Sequence, residues 1–298
     1  MDNRLRFKRK NSNQSPRKLY RLIYSLMFLS VAGIAVFSVL LYRNKQEYRQ
    51  GDAIYNSIRT AARNGNDTVD MDADAEDKVN RSDETTSSSG RETAGSGHLT
   101  GDAQDVSEAV KTSQIDFSSL EAINEDVVGW IQADGRGIDY PIVLGEDNEY
   151  YLTHLFNHEE NRIGSIFMDY RNNSDFLDKS SVIYGHYLKD GAMFSSILKY
   201  KKQSHYDTYP AMTLYTPEGD YTIELFAGIV HDGNYEFVQF EFNDSGDFLD
   251  YIGQLKAQST FKSEVMVDAD DRIITLSTCS YEFDNARYAL YGKLVSMP

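Results

Sequence analysis

The sequence carries a single thiol, and its setting is the first chemical clue. Cys279 closes the run Arg272–Cys279 (RIITLSTC), in which β-branched residues lead into a polar stretch with Ser277, Thr278 and Ser280 around the sulfur. A cysteine at a strand end beside three hydroxyl residues is placed at or near a surface. A lone cysteine forms no internal disulfide, and its two ordinary fates are a small buried hydrophobe or a nucleophile. A thiol nucleophile needs a base or a cation to populate the thiolate.

Six histidines are available, and their contexts differ. His98 falls in an acidic, aromatic-poor stretch, His154, His158 and His205 fall in polar helix or loop contexts, and His231 ends a strand at HDGN, read as a turn. His186 follows SSVIYG, a strand ending in glycine, and Gly185 permits close approach of another segment. A histidine just past a buried strand either faces a cleft or has no task. Arg287 opens RYALYGKLV, eight residues after Cys279 across the short loop EFDNA, so an antiparallel return strand brings it to the Cys279 end of the sheet. A guanidinium there donates to a developing oxyanion or orients a substrate carbonyl. The alternative is a surface ion pair with Glu282 or Asp284, normally worth little. HExxH, CxxC, GxGxxG, P-loop and GxSxG patterns are all absent, so no metal or other cofactor is expected.

The elements that position these residues can be read by pattern. From about Gln114 the chain becomes rich in Tyr, Phe, Ile and Val. Strands are expected at VVGWIQ, DYPIVL, GSIFMD, SSVIYGHY, MTLYT, YTIELFAGIV, RIITLSTC and RYALYGKLV, with TPEGD as a hairpin turn and Pro141 at a strand edge. Helices are expected at DFSSLEAIN, NEYYLTHLF, MFSSILKY and SGDFLDYIGQLKAQ. Closely spaced short strands in one domain favour a mostly antiparallel barrel or sandwich with peripheral helices.

Ahead of this domain lie three segments of different physics. Leu22 to Tyr42 is an uncharged, largely apolar run of 21 residues. As a helix it crosses a ~30 Å hydrocarbon core. Eight basic residues precede it and five follow it before Asn64, an excess that favours a cytoplasmic N-terminus and an external C-terminus. The run is long for a cleaved signal peptide and no clear small-x-small site follows it. The expected organisation is therefore a basic cytoplasmic segment at 1–21, a single N-terminal transmembrane helix at 22–42, an extracytoplasmic, largely disordered linker at 43–113 and a catalytic domain at 114–298. Residues 43–63 retain some helical period, whereas 64–113 carry 12 Asp/Glu against 4 Lys/Arg and almost no aromatics. A boundary at Gln114 predicts that the domain folds and works without anything before it. Residues 114–298 hold 31 Asp/Glu against 13 Lys/Arg, which argues against a nucleic-acid partner.

At this point the motifs carry a family resemblance. TLSTC at 275–279, an arginine on the next strand and YGH at 184–186 resemble the sortase active-site pattern. VGWI at 128–131, DYPIV at 139–143, DNEYYL at 147–152, GSIFMD at 164–169 and a helix-containing segment between Val230 and Arg272 are similar to class B sortases. The likeness runs from about Phe117 to Leu294. It implies an eight-stranded sortase-like β-barrel and an exported, membrane-anchored cysteine transpeptidase of the Gram-positive cell wall. It further implies that the enzyme cleaves a C-terminal sorting motif of exported proteins after Thr, forms a thioester and passes the acyl group to an amine, either a peptidoglycan-precursor cross-bridge or a pilin lysine. Carried over by position, Cys279 is the nucleophile, His186 the acid/base and Arg287 the substrate or oxyanion donor. Asn148 and Leu152 line the groove, Tyr184, Ser277 and Thr278 flank the catalytic residues, and Tyr235 is a further groove residue from the variable segment. Ser280 departs from the pattern, since some class B members carry an acid there. The alternatives are an endopeptidase releasing to water and a catalytically silent surface-binding domain with the same fold.

Overall fold

The computed structural model describes residues 16–63, 114–133 and 137–298. Eight strands close a barrel: β1 (Val127–Gln132), β2 (Asp139–Val143), β3 (Ile166–Met168), β4 (Ser180–Tyr184), β5 (Ala211–Thr216), β6 (Gly219–Asp232), β7 (Arg272–Cys279) and β8 (Ala286–Ser296). Their order around the barrel is β1-β2-β3-β4-β7-β8-β6-β5, with β5 returning to β1. Two pairings, β2/β3 and β4/β7, are parallel and the rest antiparallel. Pro141 sits in β2 opposite Trp130, not at an edge, and β3 pairs only from Ile142 onward. Its missing N–H therefore falls ahead of the β3 ladder.

Alternation along β7 and β8 sorts the side chains onto two layers. Ile274 and Leu276 of β7, with Tyr288 and Leu290 of β8, belong to the main core. Ile273 of β7, with Ala289 and Tyr291 of β8, faces a second core under α4 (Ser245–Gln258). That helix buries Phe248, Ile252 and Leu255, spaced four and three residues apart on one face, and Asp244 caps it by accepting from the Asp247 N–H at 3.0 Å. Ser277, Cys279 and Arg287 share the outward side of the barrel with this second core by the same alternation.

The helix at the N-terminus departs from expectation. Helix α1 runs unbroken from Pro16 to Arg63, through the apolar span and 21 residues beyond Tyr42. It is the one helix among the described residues long and apolar enough to cross a membrane. Its far end is not linker. Tyr55, Ile58 and Ala62, at helical spacing, are 3%, 2% and 0% exposed and belong to the main core. Gly51 lets the Ile163 side chain occupy the space that a β-carbon would need. Arg63 donates to both carboxylate oxygens of Asp139, at 2.8 and 2.9 Å, and the Asp116 N–H bonds the Ala62 carbonyl at 2.8 Å. The linker reading is thus corrected for 43–63, while the expected linker at 64–113 and the basic segment at 1–15 lie outside the described residues. Sequence periodicity alone missed this packing because Asn56, Arg59 and Thr60 make the opposite face polar.

Of two other expected helices, one shortens and one changes type. NEYYLTHLF forms only a 3-10 turn at Tyr150–Leu152, and MFSSILKY is 3-10 over Phe194–Lys201, followed by α3 (Gln203–Thr208). The first failure has a clear cause. The Tyr151 and Leu152 carbonyls, which a helix would give to the Leu155 and Phe156 N–H groups, accept instead from the Ser165 N–H at 2.9 Å and from His186 Nε2 at 2.7 Å. The short helix α2 (Phe117–Glu121) forms as expected, capped by Asp116.

A chain starting near residue 46 is expected to be more stable to urea than one starting at 114, by at least about 3 kcal/mol. Burying two large side chains contributes about 1.5–3 kcal/mol each. Equal midpoints and slopes for the two would show that α1 adds nothing to the folded domain.

Candidate active site

The site is set by register. In the parallel pair β4/β7, Tyr184 stands level with Ser277, so His186 and Cys279, each two residues on, also stand level. Two bonds carry the pairing past the end of β4. The Gly185 N–H donates to the Ser277 carbonyl at 3.1 Å, and Thr278 Oγ1 donates to the Gly185 carbonyl at 2.7 Å. Glycine is required at 185 because a β-carbon would stand 2.5 Å from Ile166 Cδ1 and 2.8 Å from Phe194. In the antiparallel pair β7/β8, Arg287 lies directly opposite Cys279. Continued past β4, this register sets the three chemical residues in one row, with Cys279 on β7, Arg287 on β8 and His186 two residues beyond the end of β4, each half-buried.

His186 is oriented by Leu152. A carbonyl only accepts, so the ring nitrogen facing it, Nε2, carries a proton. Nδ1 is then the nitrogen left to exchange a proton with the thiol or with substrate. Gly164 closes the back of this cradle at φ 63°, where a β-carbon would lie 2.6 Å from the Tyr151 oxygen, 2.7 Å from the Leu152 oxygen and 3.0 Å from His186 Cδ2.

Arg287 faces a cleft of about 350 Å³ that Tyr184, Ser277, Tyr235 and Arg171 also line. Among the described residues its one side-chain hydrogen bond is to the Ala286 carbonyl at 3.2 Å. The surface ion pair left open by the sequence does not form, because Glu282 pairs with Lys201 and no carboxylate among the described residues lies within ion-pair distance of Arg287. A larger cleft of about 880 Å³ adjoins across Arg171 and Glu236, but none of the row lines it.

Asp169 organises the groove wall and was not singled out in the sequence. It is fully buried, and its Oδ2 accepts from Asn148 Nδ2 at 3.0 Å, Tyr184 Oη at 2.9 Å and Arg171 Nη2 at 2.9 Å. Burial pushes its carboxyl upward, but the bonds from the Arg171 side chain and backbone and from Tyr184 outweigh it and hold the pKa below the usual value. Burial first, and then the Asp169 charge, raises the Tyr184 hydroxyl, which stays protonated and donates. Arg171 also pairs with Glu236, next to Tyr235, tying the β6–α4 segment to the same hub. The signal in the sequence was an acid ending an apolar strand two residues before an arginine.

The expected groove residues are thus only partly gathered. Tyr184, Ser277 and Tyr235 line the cleft, with Tyr235 74% exposed. Asn148 joins through Asp169, and Leu152 contributes its carbonyl to His186. Thr278 turns the other way: it is buried, and its hydroxyl is spent on Gly185. Ser280, also buried, accepts from Lys201 Nζ at 2.7 Å and donates to Glu282, so a carboxylate is present two residues after the position where the resemblance expects one. Burial raises the Glu282 carboxyl, but bonds from Lys201 and Ser280 prevail and bring it down to about 2.

His231 stands near the end of its strand, as the sequence suggests: it is the penultimate residue of β6, opposite Arg287 in register, and the turn begins at Gly233. Its ring stacks on Phe237 and its Nε2 bonds Tyr291 Oη at 2.9 Å. Burial pushes its pKa down to about 4, which keeps it neutral beside the row.

Comparisons with known proteins give the chain a family. No family model matches the chain. It is 40% identical over 183 residues to sortase B of Listeria monocytogenes, covering 61% of this chain and 74% of that protein. It is 34% identical over 183 residues to sortase B of Staphylococcus aureus, covering 61% and 75%. The S. aureus sortase B–substrate complex superposes with a TM-score of 0.58 at 34% identity over 61% of this chain and 85% of that one. Sortase B complexed with triglycine gives 0.58 and 34% over 61% and 86%. A closed eight-stranded barrel with these relatives is a sortase-type cysteine transpeptidase. The chain belongs to the sortase B family.

The His231 environment predicts a pH dependence of stability. Unfolded histidine takes its proton near pH 6.5, but the folded ring resists until about pH 4, so stability is full above 6.5 and falls as pH drops through this window. His231→Gln should flatten the urea midpoint between pH 7 and 4.5. An unchanged slope would mean that the ring titrates normally in the fold.

Proposed function

We propose that this enzyme cleaves a sorting motif near the C-terminus of exported proteins after Thr, holds the acyl group as a thioester on Cys279 and transfers it to an amine. The observation that carries the reading is the register that sets His186, just past β4, and Arg287 of β8 on either side of Cys279 of β7, with Arg287 lining the cleft beside Tyr184 and Ser277.

Cys279 Sγ attacks the scissile carbonyl as thiolate, its proton passing to His186 Nδ1. The Arg287 guanidinium donates to the oxyanion as the C–S bond forms; it stays protonated throughout, so it acts only by charge and hydrogen bonding. The C–N bond then breaks, and His186 returns the proton to the leaving amine. In the second half His186 takes a proton from the incoming amine, which displaces the sulfur and restores the thiol. The structures of similar sortase B proteins with a substrate and with triglycine support a peptide donor and an amine acceptor of this kind. Tyr184, Ser277, Tyr235 and Asn148 frame the donor peptide. The apolar half of α1 anchors the enzyme as a single-pass membrane protein, N-terminus cytoplasmic and catalytic domain outside, as the excess of basic residues before the span supports.

Single-turnover kinetics on one sorting peptide tests these roles. Cys279→Ala should abolish turnover with the circular dichroism unchanged, and His186→Ala should nearly eliminate both acylation and transfer. Arg287→Ala should lose ~10²–10³ in acylation rate, about 2.7–4 kcal/mol, and Arg287→Lys should recover only part of it. Wild-type acylation by Arg287→Ala would refute its role as oxyanion donor. An added amine that leaves product partition unchanged would make the enzyme an endopeptidase instead.

A further inference from the structure

The membrane-proximal helix reaches the catalytic histidine through one buried hydroxyl. Tyr55 of α1 is 3% exposed. Its ring packs edge-on against Tyr140 at 5.3 Å between centroids, so the ring is fixed independently of its hydroxyl. The hydroxyl donates to the Gly164 carbonyl at 2.8 Å and lies 3.1 Å from Ser165 Oγ. Burial, the largest influence, raises its pKa, so it remains a donor. Ser165 is held in turn by Tyr151, whose carbonyl accepts from its N–H at 2.9 Å, and its Oγ donates to the His154 carbonyl at 2.9 Å.

Gly164 is the link. Its carbonyl receives Tyr55, and its α-carbon faces the Leu152 carbonyl and the His186 ring, with no room for a β-carbon between them. The Leu152 carbonyl is the group that orients His186. The Gly164 N–H bonds the Asn161 carbonyl at 3.0 Å and the Ser165 N–H bonds the Tyr151 carbonyl, so within this turn the Gly164 carbonyl is the group that Tyr55 holds. Gly51 against Ile163, and the Glu47 carbonyl accepting from Asn161 Nδ2 at 3.1 Å, hold the same turn on the same helix.

We propose that Tyr55 is a positioning residue for His186: its hydroxyl fixes the Gly164 peptide, which sets the Leu152 carbonyl that holds the imidazole with Nε2–H toward the backbone and Nδ1 toward Cys279. This rests on the proton-transfer role given to His186 above. A displacement of about 1 Å at a reacting group costs up to 10²-fold, and loss of one anchoring bond two contacts away permits only part of that. Tyr55→Phe deletes the hydroxyl and keeps the ring. No part of Tyr55 touches substrate.

The test uses the full chain in detergent, with 15N-labelled histidine and a single sorting peptide. For Tyr55→Phe the expected result is an acylation kcat lowered about ten-fold, KM within about two-fold, and the His186 ring 15N pattern moving from the Nε2–H form toward a tautomer mixture. Gly164→Ala pushes the same cradle from inside and should shift the His186 signals in the same way. Unchanged His186 signals in Tyr55→Phe, with or without a change in Gly164→Ala, would overturn the proposal, as would a proportional rise in KM that tracks a loss of melting temperature. The ring spectrum does not need turnover. Should the wild type form no thioester, the proposed function fails, while the link from Tyr55 to His186 is still read directly.

Discussion

The parallel pairing of β4 with β7 is the constraint on which the rest of this structure depends. A shift of one residue would turn His186 to the barrel interior, and a shift of two would move it one full repeat along the strand from Cys279. The fold fixes the register from both sides. Apolar alternation sends Ile274 and Leu276 inward and leaves Ser277 and Cys279 facing out. Beyond the last ladder bond, Gly185 and Thr278 lock the two strand ends together, which is why Thr278 is committed to the backbone rather than to the groove. The antiparallel return of β8 then delivers Arg287 without further specification.

Around this row the protein gives up regular structure to obtain orientation. The stretch from Asn148 to Phe156 has helix-forming content, yet it makes only one 3-10 turn because two of its carbonyls are taken by Ser165 and His186. Asp169 shows the same trade in the groove. A buried carboxylate is costly unless every lone pair is used, and here Asn148, Tyr184 and Arg171 use them. The charge is thereby converted into fixed positions for two groove residues, and through Glu236 into a fixed position for the segment bearing Tyr235.

The barrel strands and the row were legible in the sequence because their signals are local. RIITLSTC, SSVIYG and RYALYGKLV show burial and strand ends within eight or nine residues, and the spacing of Cys279 and Arg287 across EFDNA implies a hairpin. What the sequence hid depends on contacts far along the chain. Tyr55 meets Gly164 across 109 positions, and Lys201 meets Ser280 across 79. The outer half of α1 looked like linker because only one face is apolar and its partner is the barrel wall. The strand end at His231 was visible in HDGN, but its pairing opposite Arg287, 56 positions on, was not. Asp169 has only Arg171 nearby in sequence to mark it as a hub, since Asn148 and Tyr184 come from segments 21 and 15 residues away.

The register itself is open to a direct measurement. Residues level on neighbouring strands lie close enough for an unstrained disulfide, whose α-carbons are usually about 4.4–6.8 Å apart. The full chain with His186→Cys, folded and mildly oxidised, should form a bond to Cys279, seen by mass spectrometry as one peptide pair joining positions 186 and 279. Tyr184→Cys, treated in the same way, should leave Cys279 free. Efficient linkage from position 184, or none from 186, would place the histidine off the row and contradict the account.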